Sequence, residues 1–270
     1  MTLRRTALAL PPLDAQLLVM SRKASSPRDR LDRALVQRGL VESREQAARL
    51  ILAGAVKIQG LPADKPSTMV SAEAEIKITQ KAFPYVSRAG GKLAAALEAF
   101  SIDPRDAVAL DVGASTGGFT DCLLQRGASR VYAVDVGYGQ MDWRLRTDPR
   151  VVLLERKNIR YLDPAEIRDP IGLAVIDVSF ISLRTVLPSV IKFLGDSAWV
   201  VALVKPQFEV GRGRVGRGGI VRDDALRAEA LETVQVAAGR LGLAAMGTVD
   251  SPIAGQKGNR EILGAWRWQG

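Results

Sequence analysis

The sequence predicts an α/β chain in which a mostly parallel sheet with crossover helices follows a small α+β unit. Three observations carry this. From Phe83 onward, short apolar runs alternate with helix-length segments, the rhythm of strands joined by crossovers. Between Arg28 and Lys81 the apolar spacing is first helical, twice, and then strand-like. The length of 270 residues, 47% of them hydrophobic and 25% charged, suffices for one large core and a smaller satellite. The expected boundaries are a flexible extension over 1–27, a small domain over 28–81, a linker over 82–86 stiffened by Pro84, and a large domain over 87–270.

The extension has a basic start and an apolar patch, but Pro11, Pro12 and Asp14 interrupt it and no clean cleavage site follows. It reads as a weak mimic of a signal peptide, and Met20 is an alternative start. In the small domain Leu31, Ala34 and Leu35 share one helical face, and Gly39 is the expected left-handed cap. A second helix opens on the capping box Ser43/Gln46, carries the stripe Ala47, Leu50 and Ile51, and closes at Gly54. Strands are expected at Val56 to Ile58 and Glu75 to Thr79. With the apolar residues turned inward, Arg30, Arg33, Arg38, Arg44 and Arg49 are left to solvent or to phosphates.

In the large domain the expected strands are Val108 to Val112, Arg130 to Asp135, Val151 to Glu155, Leu173 to Asp177 and Trp199 to Val204, with Ala244 to Val249 and Ile262 to Trp268 added last. A helix whose expected cap is Ser87 precedes them, and another begins near Gly118.

Lys and Arg number 38 against 29 Asp and Glu, a formal charge of +9, which suits a polyanionic partner. Basic density is highest in the small domain. Cys122 is the only cysteine, so no disulfide forms within the chain and no cluster of thiolates binds zinc. A reducing cytoplasm is the expected location. There is no histidine, so any general base is Lys, Asp, Glu or Tyr, and no metal is expected. No apolar stretch approaches the roughly 20 residues of a membrane span, so no membrane partner is expected.

The stretch "ALDVGASTGGFTDCLL" runs from a strand through Asp111 and Gly113 into a helix start, the edge of such sheets where ligands collect. Gly113, Gly117 and Gly118 are expected to let a ligand approach the backbone, unless they serve only to pack the turn. The spacing G-x-x-x-G-G is not that of a dinucleotide phosphate loop. Asp135 ends the next strand, where a carboxylate accepts both hydroxyls of a ribose. That pairing is similar to the S-adenosylmethionine-dependent methyltransferases. The resemblance assigns Asp111 and Gly113 to the methionine part, Asp135 to the ribose and Asn158 to the adenine edge. Ser115, Thr116, Gly117, Gly118, Phe119 and Asp177 complete the expected cofactor set.

Four charged residues stand at strand ends or helix starts: Lys92, Asp177, Lys205 and Glu261. Carboxyl ends of neighbouring parallel strands share one edge, so Asp177 and Lys205 should meet. The loop after Lys205 interleaves Gly211, Gly213, Gly216, Gly218 and Gly219 with Arg212, Arg214, Arg217 and Arg222, and is expected to be mobile alone and to fold over phosphates. Phe180 and Phe208 flank the proposed site and either stack on a splayed nucleoside or pack internally.

About 50 residues of the 28–81 domain, with the pattern carried by Arg30 to Gly60, resemble the S4-type RNA-binding domain. A Lys-Asp-Lys-Glu tetrad resembles the FtsJ-like 2′-O-ribose methyltransferases with their Rossmann-like fold. Together with "SRAGGKL", "VDVGYGQ", "LRTDPRV", "DVSFISL" and "LVKPQFEVGRG", the chain is similar to the TlyA (haemolysin A) family of ribosomal RNA methyltransferases over residues 30 to about 268.

The resemblance implies S-adenosylmethionine as cofactor, ribosomal RNA or a ribosomal subunit as partner, and a cytidine ribose as target. It leaves open one or both subunits, leaning to the large one because the chain stops soon after Trp268. It implies that Lys205 acts on the 2′-hydroxyl, Asp177 orients it, and Lys92 and Glu261 complete the charge arrangement. Burial and Lys92 would depress the Lys205 pKa while Asp177 and Glu261 would raise it. A charged Lys205 would instead stabilise the alkoxide, with Asp177 receiving the proton. Arg88, in "SRAGGKL", joins Arg30, Arg33, Arg38, Arg44, Arg49, Arg212, Arg214 and Arg217 as an expected RNA contact. The alternatives are a non-catalytic RNA-binding assembly factor and, from the haemolysin label alone, a membrane-lysing protein. Oligomeric state is not legible.

Overall fold

The computed structural model describes residues 28–41, 43–52, 54–79, 84–216, 218–255 and 258–270. The expected extension over 1–27 and residues 82 and 83 of the linker lie outside them.

The first unit comprises β1 (Arg28–Arg30), α1 (Leu31–Gln37), α2 (Arg44–Leu52), β2 (Val56–Ile58), β3 (Leu61–Pro62), β4 (Met69–Ser71) and β5 (Ile76–Ile78). Its core is the face expected from spacing: Leu31, Leu35, Ala47 and Ile51 are buried with Val56. Gly39 adopts φ +65° where α1 stops, a conformation that would strain a side chain. Ser43 Oγ accepts from Gln46 N at 3.1 Å, so the cap at the start of α2 forms as expected. The antiparallel sheet β3-β2-β5 and the pair β1-β4 cover the helices. Strands β1, β3 and β4 have only two or three residues, too few for an alternation to register in the sequence.

The second unit is a seven-stranded sheet ordered β11-β12-β10-β9-β6-β7-β8. Its strands are β6 (Val108–Val112), β7 (Arg130–Asp135), β8 (Val151–Glu155), β9 (Ile171–Ile176), β10 (Leu194–Val204), β11 (Ala244–Asp250) and β12 (Ile262–Gln269). Five strands run parallel, while β12 is inserted antiparallel between β10 and β11. Alternate residues face opposite layers. Leu110, Val112, Val134, Ile176 and Val204 pack with α6 (Leu183–Val190) and α8 (Asp224–Arg240). Ala109, Val131, Val175 and Leu203 pack with α3 (Ala89–Ala99) and α4 (Gly118–Gln125). Each large side chain so buried contributes about 1.5–3 kcal/mol. Two short helices, α5 (Trp143–Arg146) and α7 (Pro206–Glu209), follow β7 and β10.

Strand β6 lies between β9 and β7, so the chain leaves it in opposite directions and opens a crevice at its carboxyl end. Because β12 runs antiparallel, its beginning lies at that same edge. Ile262 pairs with Val204, which sets Glu261 beside Lys205.

One expected cap is corrected. The N-cap of α3 is Arg88, without a side-chain hydrogen bond, and Ser87 Oγ is buried with no partner. The hydroxyl occupies the space that a Cβ on Gly118 would fill, so Ser87 packs on the start of α4 instead of capping its own helix.

Candidate active site at the carboxyl edge of the sheet

After β6 the chain turns through Gly113 (φ +88°), Ser115 (φ +49°) and Gly117 (φ +92°) into α4. A Cβ on Gly113 would overlap the Asp177 carbonyl oxygen, one on Gly117 the Leu145 side chain, and one on Gly118 the Ser87 hydroxyl. Each glycine is thus required by a protein contact on its Cα face, while Gly113 and Gly118 also line the clefts described next. The turn is a packing joint. Gly117 lines neither cleft described next.

Two adjoining clefts flank the turn. The first is walled by Val134, Ile159, Val178 and Ile181 and carries Asp135 and Asn158. Asp135 Oδ2 accepts Ser115 N at 2.8 Å and Oδ1 accepts Gly137 N at 2.6 Å. Two amides thus fix the carboxylate, and each oxygen keeps a lone pair for a further donor. Asn158 Oδ1 accepts from Arg160 N and Nε at 3.1 and 3.3 Å, which leaves its amide hydrogens to face a ligand. Apolar walls with one fixed carboxylate suit a nucleoside.

Asp111 does not line either cleft. It is fully buried behind the turn, where Oδ2 accepts Thr120 Oγ1 at 2.7 Å and Oδ1 has no partner. Burial, with Asp177 and Asp135 nearby, pushes its carboxyl up to about 7. A direct contact between Asp111 and the methionine part is therefore replaced by a position one layer beneath.

The second cleft is lined by Lys92, Asp177, Lys205 and Glu261, with Gly113, Ser115, Thr116, Gly118 and Phe119 at the turn. The four charges form two pairs. Lys92 Nζ lies 2.6 Å from Glu261 Oε2, bridging α3 and the start of β12, with the residues 6% and 3% exposed. Lys205 Nζ lies 2.6 Å from Asp177 Oδ1, off the line of a hydrogen bond, and donates to Ser179 Oγ at 2.9 Å. Buried charges persist only when paired, and these are. The Glu261 carboxylate needs Gly255, where a Cβ would overlap Oε1.

Ser179 and Glu209 were not foreseen. Ser179 follows Asp177 by two residues in the same loop, a spacing that offers the signal. Glu209 is buried. Its Oε2 accepts Ser182 Oγ at 2.5 Å and its Oε1 accepts Leu183 N at 2.8 Å, joining the loop after β10 to that after β9. Its sequence neighbourhood shows nothing of this.

The expected RNA contacts divide. Arg30 and Arg44 clamp Asp32 at 2.9 and 3.1 Å and hold its carboxyl down to about 2, the Arg30 hydrogen bond acting most strongly. Arg33 lies 3.7 Å from Asp29. Arg38 donates to the carbonyls of Ala74, Ser71 and Ala72 at 2.6, 3.0 and 2.9 Å, so its first task is to hold the turn between β4 and β5. Arg214 pairs with Glu229. Arg88 lines the second cleft. The side chains of Arg49 and Arg212, and Arg217 altogether, lie outside the described residues.

The Gly/Arg loop carries local backbone ties. Gly216 pairs with Ile220, and Asn259 is buried beneath, accepting from Val221 N at 3.0 Å and donating to Gly219 O at 2.9 Å. Phe180 is 90% exposed with φ +65°, its ring centroid 5.2 Å from that of Phe208. An exposed aromatic held in that conformation is strained for no packing gain. Among the described residues no helix is long and apolar enough to cross a membrane, and no cluster of His, Cys, Asp and Glu is arranged to hold a metal ion.

The model of the FtsJ-like methyltransferase family matches residues 85–268, and that of the S4 domain matches residues 29–76. The chain is 52% identical over 237 residues to the 16S/23S rRNA (cytidine-2′-O)-methyltransferase TlyA of Mycobacterium tuberculosis, covering 87% of this chain and 88% of that one. It is 42% identical over 235 residues to Hemolysin A of Brachyspira hyodysenteriae, covering 87% and 98%. A solved structure from Streptococcus thermophilus, 45% identical, superposes with a TM-score of 0.72 over 90% of this chain and 89% of that one. The chain therefore belongs to the FtsJ-like methyltransferase family and carries an S4 domain ahead of its methyltransferase domain.

Proposed function

We propose that the chain transfers a methyl group from S-adenosylmethionine to the 2′-hydroxyl of a cytidine ribose in ribosomal RNA, in the cytoplasm. The observation that carries this is the convergence of two ion pairs on one cleft, Lys92–Glu261 buried and Lys205–Asp177 partly open to it, beside a second cleft shaped for a nucleoside. In this reading Asp135 holds the cofactor's ribose, Asn158 faces its adenine, and the turn from Gly113 to Phe119 borders its amino-acid end. When bound, S-adenosylmethionine supplies a methyl group on a positively charged sulfur, an electrophile that needs no further activation.

The protein's work is then alignment and proton removal. Lys205 and Asp177 meet the incoming hydroxyl as a unit: the Lys205 ammonium would orient the oxygen and the Asp177 carboxylate would take its proton as the oxygen receives the methyl group. Ser179 fixes the direction of Lys205 through its 2.9 Å bond. Lys92 and Glu261 neutralise each other at the cleft wall, so that charge near the reacting oxygen is set by the other pair alone. Phe180 offers its exposed face to the target base, worth about 1–3 kcal/mol of stacking. The S4 domain, with Arg33, and Arg88 at the cleft supply phosphate contacts.

A non-catalytic RNA-binding scaffold has no use for a lysine–carboxylate pair held at the mouth of a cleft beside a second, buried pair. The test is methyl transfer from labelled S-adenosylmethionine to ribosomal subunits, with nucleotide mapping. Lys205→Ala and Asp177→Ala should each lower turnover by about 10²–10⁴, the range for a positioned proton acceptor, in protein that remains folded although each change leaves one charge of the pair without its partner. Full activity in either variant refutes the assigned roles.

A further inference from the structure

We propose that Glu209 is a positioning residue for the methyl transfer: it clamps together the two loops that carry Asp177 and Lys205, and so sets where the reacting pair stands. This rests on the RNA 2′-O-methyltransferase reading above and adds to it the residue on which the alignment of that pair depends. The need for a clamp follows from the sheet. Strands β9 and β10 run side by side, and their last register pair is Ile176 with Ala202. Beyond it the chains diverge, Asp177 opening the loop that leads to α6 and Lys205 capping α7.

Past the ladder the loops are joined by side chains at two levels. The near level is Lys205 itself, on Asp177 and Ser179. A lysine stem is flexible, so the near contacts follow the backbone of each loop and do not dictate it. Glu209 supplies the far level. It lies one turn of α7 beyond Lys205, with Phe208 N donating to Lys205 O at 2.9 Å and Val210 N to Pro206 O at 3.1 Å. Its carboxylate gives both oxygens to the opposite loop, Oε2 accepting from Ser182 Oγ at 2.5 Å and Oε1 from Leu183 N at 2.8 Å. Leu183 begins α6, so the acid also meets the positive end of that helix.

Glu209 acts from behind the site. Its side chain is 1% exposed and lines neither cleft nor the groove between Phe180 and Phe208, so it touches no ligand bound there. The nearest cation is Arg184, at 3.8 Å, and burial pushes the carboxyl above its ordinary value. An apolar side chain would join two loops without that desolvation. What the carboxylate adds is direction: two acceptors aimed at two donors fix the spacing of the loops. Transfer in line is sensitive to such spacing, since a misplacement of about 1 Å costs about a hundredfold in rate.

The experiment uses the full chain, ribosomal subunits and labelled S-adenosylmethionine, with rates taken well below the Tm of every variant and corrected for the folded fraction. Glu209→Leu, which keeps the volume and removes both acceptors, should lower kcat about ten- to hundredfold while the Kd for S-adenosylmethionine stays within about threefold. Glu209→Gln, which keeps an acceptor for Leu183 N, should return kcat to within about fivefold of wild type. The decisive comparison repeats the change in a Lys205→Ala background. Because Glu209 acts through the placement of Lys205, Glu209→Leu should lower the residual rate there by less than about threefold. Should Glu209→Leu fail to fold, Ser182→Ala removes one bond from the opposite loop and runs the same comparison, with an expected loss of about three- to tenfold that Lys205→Ala again abolishes. A loss that recurs in full without Lys205, an unaltered kcat in Glu209→Leu, or a Glu209→Gln chain no faster than Glu209→Leu overturns the positioning role and leaves the methyltransferase reading standing. A wild-type chain that methylates no ribosomal RNA overturns both.

Discussion

Removing the Glu261 carboxylate should destabilise the methyltransferase domain far more than a surface change of the same size. The pair with Lys92 is 2.6 Å long and its side chains are 8% and 3% exposed. At an effective dielectric of about 20, that separation is worth about 6 kcal/mol of attraction, most of it offsetting the loss of hydration. Glu261→Ala leaves an ammonium buried without its counter-charge, which costs about 3–5 kcal/mol. For a domain of this size that is a fall in Tm of about 6–20 °C. The double variant Lys92→Met/Glu261→Met removes both charges at similar volume, and should regain all but about 1–2 kcal/mol while remaining inactive. The assay is urea unfolding followed by tryptophan fluorescence. All four tryptophans (143, 199, 266 and 268) lie in the methyltransferase domain, so the signal reports that domain alone. A single variant costing less than about 1 kcal/mol, or a double variant no more stable than the single, would show that the pair is not closed as described.

Asp111 makes stability depend on pH. Its folded pKa is raised to about 7, so the folded state holds a proton that the unfolded state has lost above about 4. The cofactor-free chain should therefore lose stability as pH rises from about 4 to about 7, by an amount on the order of 4 kcal/mol. Asp111→Asn should remove that slope, and parallel urea midpoints for the two proteins at pH 5 and 8 would contradict it. Phe180→Gly should raise stability by about 1 kcal/mol by relieving the left-handed backbone, yet lower kcat/KM on RNA about tenfold; a fall in both would assign the ring to packing. Arg38→Ala should cost about 1–3 kcal/mol of small-domain stability with the salt slope of RNA binding unchanged, whereas Arg33→Ala should reduce that slope by about 1 and spare the fold.

Much of this was legible in the residues, for identifiable reasons. The runs Val108 to Val112, Arg130 to Asp135 and Val151 to Glu155 match their strands to the residue, because each apolar run is bounded by polar turns, in the central strands β6 and β7 and in the half-buried edge strand β8 alike. Strand β10 begins earlier than expected, at Leu194, since its first residues are held by pairing, Leu194 with Ile171 of β9 and Ser197 with Gln269 of β12, and not by apolar content. The meeting of Asp177 with Lys205 follows from topology alone. The tie of Lys92 to Glu261 does not, because it depends on how α3 rotates against a strand 169 residues away. Local signals failed where a distant backbone intervened: Ser87 looks like a cap but answers to Gly118, and Arg38 looks free but is held by three carbonyls.

That span between Lys92 and Glu261 also sets a timetable for synthesis. Six strands of the sheet precede the acid in the chain, and β12, the last, lies between β10 and β11. A chain still emerging from the ribosome thus holds the first amine without its counter-ion. Only with β12 between β10 and β11 is that amine neutralised and the wall of four charges complete.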